Sequence, residues 1–297
     1  MKKTIIALAA LSLTVFAGGF GTNSSQPDQY LTGSDQQKYQ YVICTASETG
    51  SYYQAGKRLV SLLGQERGTS HNTAVAETTD GTKQNLQLVA DGICNVAFVQ
   101  EDYLAFLRGQ DKAFFDNKAI ITLERTENVQ LIMRKGMSED DIQEKGAKVL
   151  VGLANSGGAA SWQLIQSLEP DYKLATTVYG DIDISALSDL AAGRVDAIIK
   201  TAHLNPSSDQ LAKDVQATDG IEYVDFDDSD LNDSIDFGDG AKPIYRFVDT
   251  TVAKGFFDTE AETFETHVAI IVDKSKMSKK QKNRILRVLT LNKSNLF

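Results

Sequence analysis

Two short stretches hold residue types and spacings that can capture a small polar molecule. The first is Ser47-Glu48-Thr49-Gly50-Ser51-Tyr52-Tyr53-Gln54-Ala55-Gly56, and the second is Asn155-Ser156-Gly157-Gly158. Each follows an apolar run that reads as a strand (residues 41–44 and 149–151) and leads into a helical pattern (residues 57–63 and 159–168). The first backbone N–H groups of a helix have no partner inside it. A polar turn there directs donors and the positive end of the helix dipole at whatever lies beyond. A carboxylate or similar anion is the natural occupant. One such turn alone reads as an ordinary strand-to-helix connection. Two of them, one in each half of the chain, suit a cleft in which both halves grip the same anion. Tyr52 and Tyr53 add ring faces and hydroxyls to the first turn.

Other chemistry fits the chain poorly. His71, His203 and His267 are scattered and lack metal-ligand spacing. No Gly-x-Ser-x-Gly elbow and no phosphate loop ending in Gly-Lys-Ser/Thr is present, and neither cysteine has a base nearby in the sequence. The expectation is a binding protein, not an enzyme, with no cofactor and no metal. Seven aspartates fall within residues 225–239. A calcium loop would need a twelve-residue frame ending in glutamate, so this segment reads as a solvated acidic loop or a charged face for a partner protein.

The elements that must position those turns alternate between strand and helix patterns, as in an α/β fold with mostly parallel sheets flanked by helices. Strands are expected at 39–46, 73–78, 95–100 and 118–123, with helices at 53–65, 81–90 and 102–108. A separate strand at 128–134 leaves this lobe. The second series has strands at 148–152, 176–179, 195–199 and 221–226, and helices at 159–168, 184–192 and 207–213. A strand at 265–272 and a basic helix at 278–291 return to the first lobe.

Met1-Lys2-Lys3, the apolar run 4–16 and the small residue Ala17 read as a secretory signal, with cleavage at or a few residues after Ala17. A polar leader over 18–38 follows. About 280 residues remain, enough for two lobes: 39–132 with 245–297, and 133–244. The net charge of −10 becomes −12 without Lys2 and Lys3. That balance disfavours nucleic acid and anionic lipid as partners. Cys44 ends its strand while Cys94 precedes the next. If those strands are parallel neighbours, the offset of about four residues spans roughly 13 Å, beyond the reach of about 7 Å that a disulfide allows. Two free thiols are expected, although an isolated pair in an oxidising compartment is itself a disulfide candidate.

Four ordered segments carry a family resemblance: Gly50-Ser51-Tyr52-Tyr53; Gly81-Thr82-Lys83-Gln84-Asn85-Leu86 leading into Val96-Ala97-Phe98-Val99-Gln100-Glu101-Asp102; Val151-Gly152-Leu153-Ala154-Asn155-Ser156-Gly157-Gly158; and Leu190-Ala191-Ala192-Gly193-Arg194-Val195-Asp196, followed by Asn205-Pro206. Together they resemble the TAXI family, the extracytoplasmic solute receptors of TRAP transporters. One departure is Gly158, where the family usually carries threonine. The resemblance implies a two-lobed periplasmic binding protein of type II, with the ligand cleft between its lobes. It implies a periplasmic monomer that closes on a small organic anion, an amino acid such as glutamate or a dicarboxylate, and passes it to TRAP membrane subunits. A receptor-docked sensor, or the binding protein of an ATP-driven importer, would share the fold. Carried over by position, Ser47, Ser51 and Tyr52 reach the ligand from the first turn, while Tyr53 contacts it or packs beneath. Gln100 meets a ligand amide or amine, and Asp102 holds an amino group or caps the next helix. Asn155, Ser156, Gly157 and Gly158 offer donors to a carboxylate. Lys200 is either an ion-pair partner for the anion or a surface lysine.

Overall fold

The computed structural model describes residues 39–65, 73–232, 234–236, 241–253 and 258–297. The signal and leader expected over residues 1–38, and His71, lie outside the described residues, as do Asp233 and Asp239 of the acidic segment. The first lobe opens with three parallel strands, β1 (Tyr41–Cys44), β2 (Ala74–Glu77) and β3 (Val96–Gln100), interleaved with helices α1 (Ser51–Gln65) and α2 (Thr82–Ala90). All residues of β1 and β3 are buried, as unbroken apolar runs in parallel strands require. In α1, Tyr52, Ala55, Gly56, Leu59 and Leu63 are the buried residues. Their spacing of three to four places one apolar stripe on the sheet.

After α3 (Glu101–Gln110) comes β4 (Lys118–Arg134), a single strand of 17 residues. Sequence patterning divides this stretch in two, at 118–123 and 128–134, because Glu124, Arg125 and Glu127 interrupt its apolar character. No glycine or proline breaks it, and tertiary pairing overrides the polar interruption. The second lobe repeats the first: α4 (Asp140–Lys145), β5 (Lys148–Leu150), α5 (Gly157–Leu168), β6 (Thr176–Val178), α6 (Ile184–Ala191), β7 (Ala197–Ala202), α7 (Gln210–Ala217) and β8 (Ile221–Val224). The short β9 (Ser234–Asp236) and β10 (Ala241–Pro243) form a separate hairpin pair. Then β11 (Arg246–Ala253) and the long β12 (Thr259–Asp273) lead to α8 (Lys279–Leu291).

The main sheet runs β2-β1-β3-β12-β4-β7-β5-β6, with β11 added on β12 and β8 on β4. Each lobe keeps a parallel trio, as the alternation predicts. The long strands β4 and β12 run antiparallel to those trios and join them. Residues 118–129 of β4 pair with β12, and residues 128–133 pair with β7, so one strand belongs to both lobes. The cores are correspondingly divided. Tyr41, Ile43, Leu59, Leu63, Ile285 and Leu289 pack in one lobe, and Trp162, Tyr172, Phe226 and Phe264 in the other.

The expectation of free thiols is wrong: Cys44 and Cys94 form a disulfide with Cα atoms 5.9 Å apart. In the parallel register Cys44 sits beside Ala97, three residues beyond Cys94. Extended chain would open a gap of about 10 Å over those three residues. Residues 91–95 are not extended. Asn95 straps this turn onto β1, its backbone N–H donating to Val42 O (3.2 Å) and its Oδ1 accepting from Val42 N (3.0 Å). Cys94 N donates back to Leu88 O at 3.1 Å. The turn therefore folds Cys94 back over the end of β1.

Candidate functional site

The two serine-and-glycine corners face one cleft of about 690 Å³. Ser47, Gly50 and Ser51 line one wall, and Gly152, Ser156, Gly157 and Gly158 the other. On the first wall, Gly50 N donates to Ser47 O at 2.8 Å, a tight turn that leaves Ser47 and Ser51 exposed beside the start of α1. On the second, Ser156 caps α5: its Oγ accepts from Ala159 N and donates to Val151 O, each at 3.3 Å. Gly158 lies so close to the strand ends that a Cβ would stand 2.7 Å from Val151 O. Only glycine lets the helix start there. The lobes touch at this end. Gln84 N donates to Asn155 O, and Asn155 Nδ2 to Asp80 Oδ2, each at 3.3 Å. Gly81, at φ +127°, brings its backbone against Gly157 N.

The floor is formed by the strand shared between the lobes. Arg125 and Glu127, two residues apart on β4, both line the cleft. Residues at that spacing share one face of a strand. Glu127 is buried, and its Oε2 accepts from Tyr52 Oη at 3.0 Å and from Gln100 Nε2 at 3.1 Å. Its Oε1 has no protein partner among the described residues. Burial raises the Glu127 carboxyl to about 7, against the lowering effect of the Gln100 and Tyr52 bonds and the nearby Arg125. The Arg125 guanidinium stacks over the Phe297 ring, 5.2 Å from its centroid, while its Nε is buried without a hydrogen-bond partner. A desolvated cation with an orphaned donor is expensive unless an anion completes it. Arg125 and Glu127 thus bring a cation and a carboxyl group to the lining of the same cleft.

Of the residues singled out from sequence, Ser47, Ser51, Tyr52, Gln100, Ser156, Gly157, Gly158 and Lys200 line this cleft. Tyr53, Asp102 and Asn155 do not. Tyr53 is half-buried on α1, with Lys57 Nζ 5.6 Å from its ring centroid. Asn155 binds Asp80 where the lobes meet. Asp102 turns away from the cleft and is buried, its Oδ2 accepting from Ser161 Oγ (2.9 Å) and Tyr245 Oη (2.8 Å). The N-terminal cap position of α3 is Gln100, and Asp102, inside the first turn, accepts from Tyr103 N through its Oδ1 at 2.7 Å. Lys200 is in place but committed to Asp209 at 3.4 Å. Gln100 is committed as well, to Glu127 and Thr82. Trp162 is core, its Nε1 donating to Thr177 Oγ1.

Sequence reasoning missed Arg125 and Glu127. The available signal was a charged pair at alternate positions, Arg125 and Glu127, between two apolar runs with no glycine or proline to separate them. The cleft also takes in Thr82, Gly180–Ile182 and His203.

A family model covers most of this architecture. The chain belongs to the NMT1-like family. The match spans residues 43–270, from β1 to β12, and so includes both walls and the floor of the cleft. No curated protein matches this member of the NMT1-like family by sequence. Solved structures of similar outline include the BvgS periplasmic domain of B. pertussis, 12% identical over 90% of this chain with a TM-score of 0.46. The chain spans 44% of that one. An ancestral arginine-binding protein bound to arginine is 13% identical, over 87% of this chain and 93% of that one, with a TM-score of 0.45. The effector binding domain of QuiR in complex with shikimate is 9% identical, over 86% and 98%, with a TM-score of 0.46. At these identities and scores, nothing about ligand or partner follows from them.

Proposed function

We propose that this chain is an extracytoplasmic solute-binding protein of the TAXI type, capturing a small organic anion between its lobes and delivering it to TRAP-type membrane subunits. The observation that carries this reading is Arg125: a half-buried guanidinium with an orphaned Nε, at the floor of a cleft walled by two helix-start corners. Glu127 beside it suits an amino group, so an amino acid such as glutamate fits best, with dicarboxylates the second choice. The ordered motifs 50–53, 81–86, 96–102, 151–158 and 190–196 support the TAXI assignment within the NMT1-like family. The Cys44–Cys94 disulfide supports an oxidising compartment such as the periplasm. On this reading the chain binds as a monomer and does not catalyse.

The test is thermal unfolding of the purified protein with glutamate, glutamine, 2-oxoglutarate and C4-dicarboxylates. A true ligand at 100 times its dissociation constant adds about 2.7 kcal/mol. Arg125→Met should abolish that gain while leaving the ligand-free transition in place, because it keeps the apolar stem and removes the charge. Equal shifts in the wild type and the variant would remove Arg125 from the site.

A further inference from the structure

We propose that Glu127 is the specificity-determining residue of the cleft, and that its single proton selects between a ligand with a donor and one with an acceptor beside the bound carboxylate. The inference rests on the proposed capture of a small organic anion and goes on to say what decides between ligand classes. The geometry is the starting point. Glu127 Oε2 already accepts from Tyr52 and Gln100, and Gln100 is itself held by Thr82 Oγ1, so the carboxyl group cannot swing away. Oε1 accepts no hydrogen bond from a described residue, and Glu127 and Arg125 both line the cleft. A ligand carboxylate held by Arg125 would leave the neighbouring part of the ligand to meet Glu127, two residues along the same face of β4.

A charged Oε1 accepts only, so it takes an ammonium or hydroxyl and repels a carbonyl or second carboxylate. A protonated Glu127 keeps Oε2 as the acceptor for Tyr52 and Gln100 and carries its hydrogen on Oε1. It then donates to a carbonyl or carboxylate and no longer attracts an ammonium. The groups around Glu127 leave it to titrate by itself. Tyr52, on α1, is held protonated far into the alkaline range by burial and by Glu127 itself. Asp102, at the start of α3, is buried behind it and disfavours a second charge. Arg125 is on the same strand, and the β12 residue opposite is the uncharged Thr266. His203, bonded to Thr126 O, is held below its usual range by burial and by Arg125, so it is neutral where Glu127 changes state. Lys200 is paired with Asp209. Burial places the Glu127 transition near pH 7, and proton linkage then makes the two ligand classes respond to pH in opposite directions.

The experiment measures the affinities of glutamate and 2-oxoglutarate by calorimetry from about pH 5.5 to 8.5, since each unit of pH beyond a titrating group shifts a linked affinity up to tenfold. These two ligands differ in an ammonium against a ketone at one carbon, and neither titrates in that window. The expected result is a preference ratio that moves toward glutamate by at least about tenfold as pH rises. Measured in buffers of different ionisation enthalpy, 2-oxoglutarate should take up a proton on the alkaline side and glutamate should release one on the acid side. Glu127→Gln, which keeps the size and the acceptor for Tyr52, should flatten the pH dependence and favour 2-oxoglutarate throughout. A constant ratio in the wild-type protein, or no proton exchange on binding, would overturn the role of Glu127 while leaving the solute-binding reading intact. Absence of binding by both ligands at every pH would overturn both.

Discussion

At the residue scale, the two cleft serines look alike in sequence and differ in physical role. Ser51 is exposed at the start of α1, with its hydroxyl open to the cleft. Ser156 is the N-cap of α5, and its hydroxyl is already committed to Ala159 N and Val151 O. Ser51→Ala should therefore weaken ligand binding by about 1 kcal/mol with the denaturation midpoint unchanged. Ser156→Ala should cost about 1 kcal/mol of folding stability through loss of the cap. Chemical denaturation of the two variants, alongside their ligand affinities, separates these roles. Equal midpoints would mean that the cap of α5 contributes nothing. Sequence placed both serines correctly at helix starts, because capping is a local property. It could not tell which hydroxyl was free, since that depends on how each turn meets the strand ends beneath it.

Among the elements, the turn at 91–95 and the strand β4 are where local reading stopped. Residue spacing put Cys94 too far from Cys44 because it assumed extended chain, whereas Asn95 ties the turn to β1 through its backbone and side chain. The resulting bridge closes a loop of 50 residues that contains α1, β2 and α2. Its removal as the double variant Cys44→Ser, Cys94→Ser should cost about 2–4 kcal/mol. The unreduced wild-type protein, unfolded in the presence of a thiol-alkylating reagent, should gain no label. Labelling at either cysteine would contradict the bridge. In β4 the charged residues 124, 125 and 127 disguised a continuous strand as two, and two of them, Arg125 and Glu127, line the cleft. A functional site is where local propensity and tertiary structure are expected to disagree.

For the whole molecule, the buried Asp102 couples the lobes behind the cleft. It is the second residue of α3 in the first lobe and accepts from Ser161 on α5 and from Tyr245 just before β11. Burial raises its carboxyl above the usual range, so the bonds it accepts offset only part of the cost of its charge. Asp102→Ala would leave two buried hydroxyls without their acceptor. The expected result is a loss of about 2–4 kcal/mol in urea unfolding and a larger ligand-free radius by small-angle scattering, as the lobes part. An unchanged radius would show that the shared strands β4 and β12 alone set the distance between the lobes. The sequence by itself determined the α/β alternation, the division into two lobes of similar layout and the two helix-start corners, because apolar periodicity and helix capping are properties of neighbouring residues. Only the tertiary structure decided that Arg125 and Glu127 floor the cleft, that Asp102 lies outside its lining and bonds Ser161 and Tyr245, and that the cysteines join. Those outcomes depend on strand register and on contacts between residues far apart in the chain, and no local pattern encodes such distances.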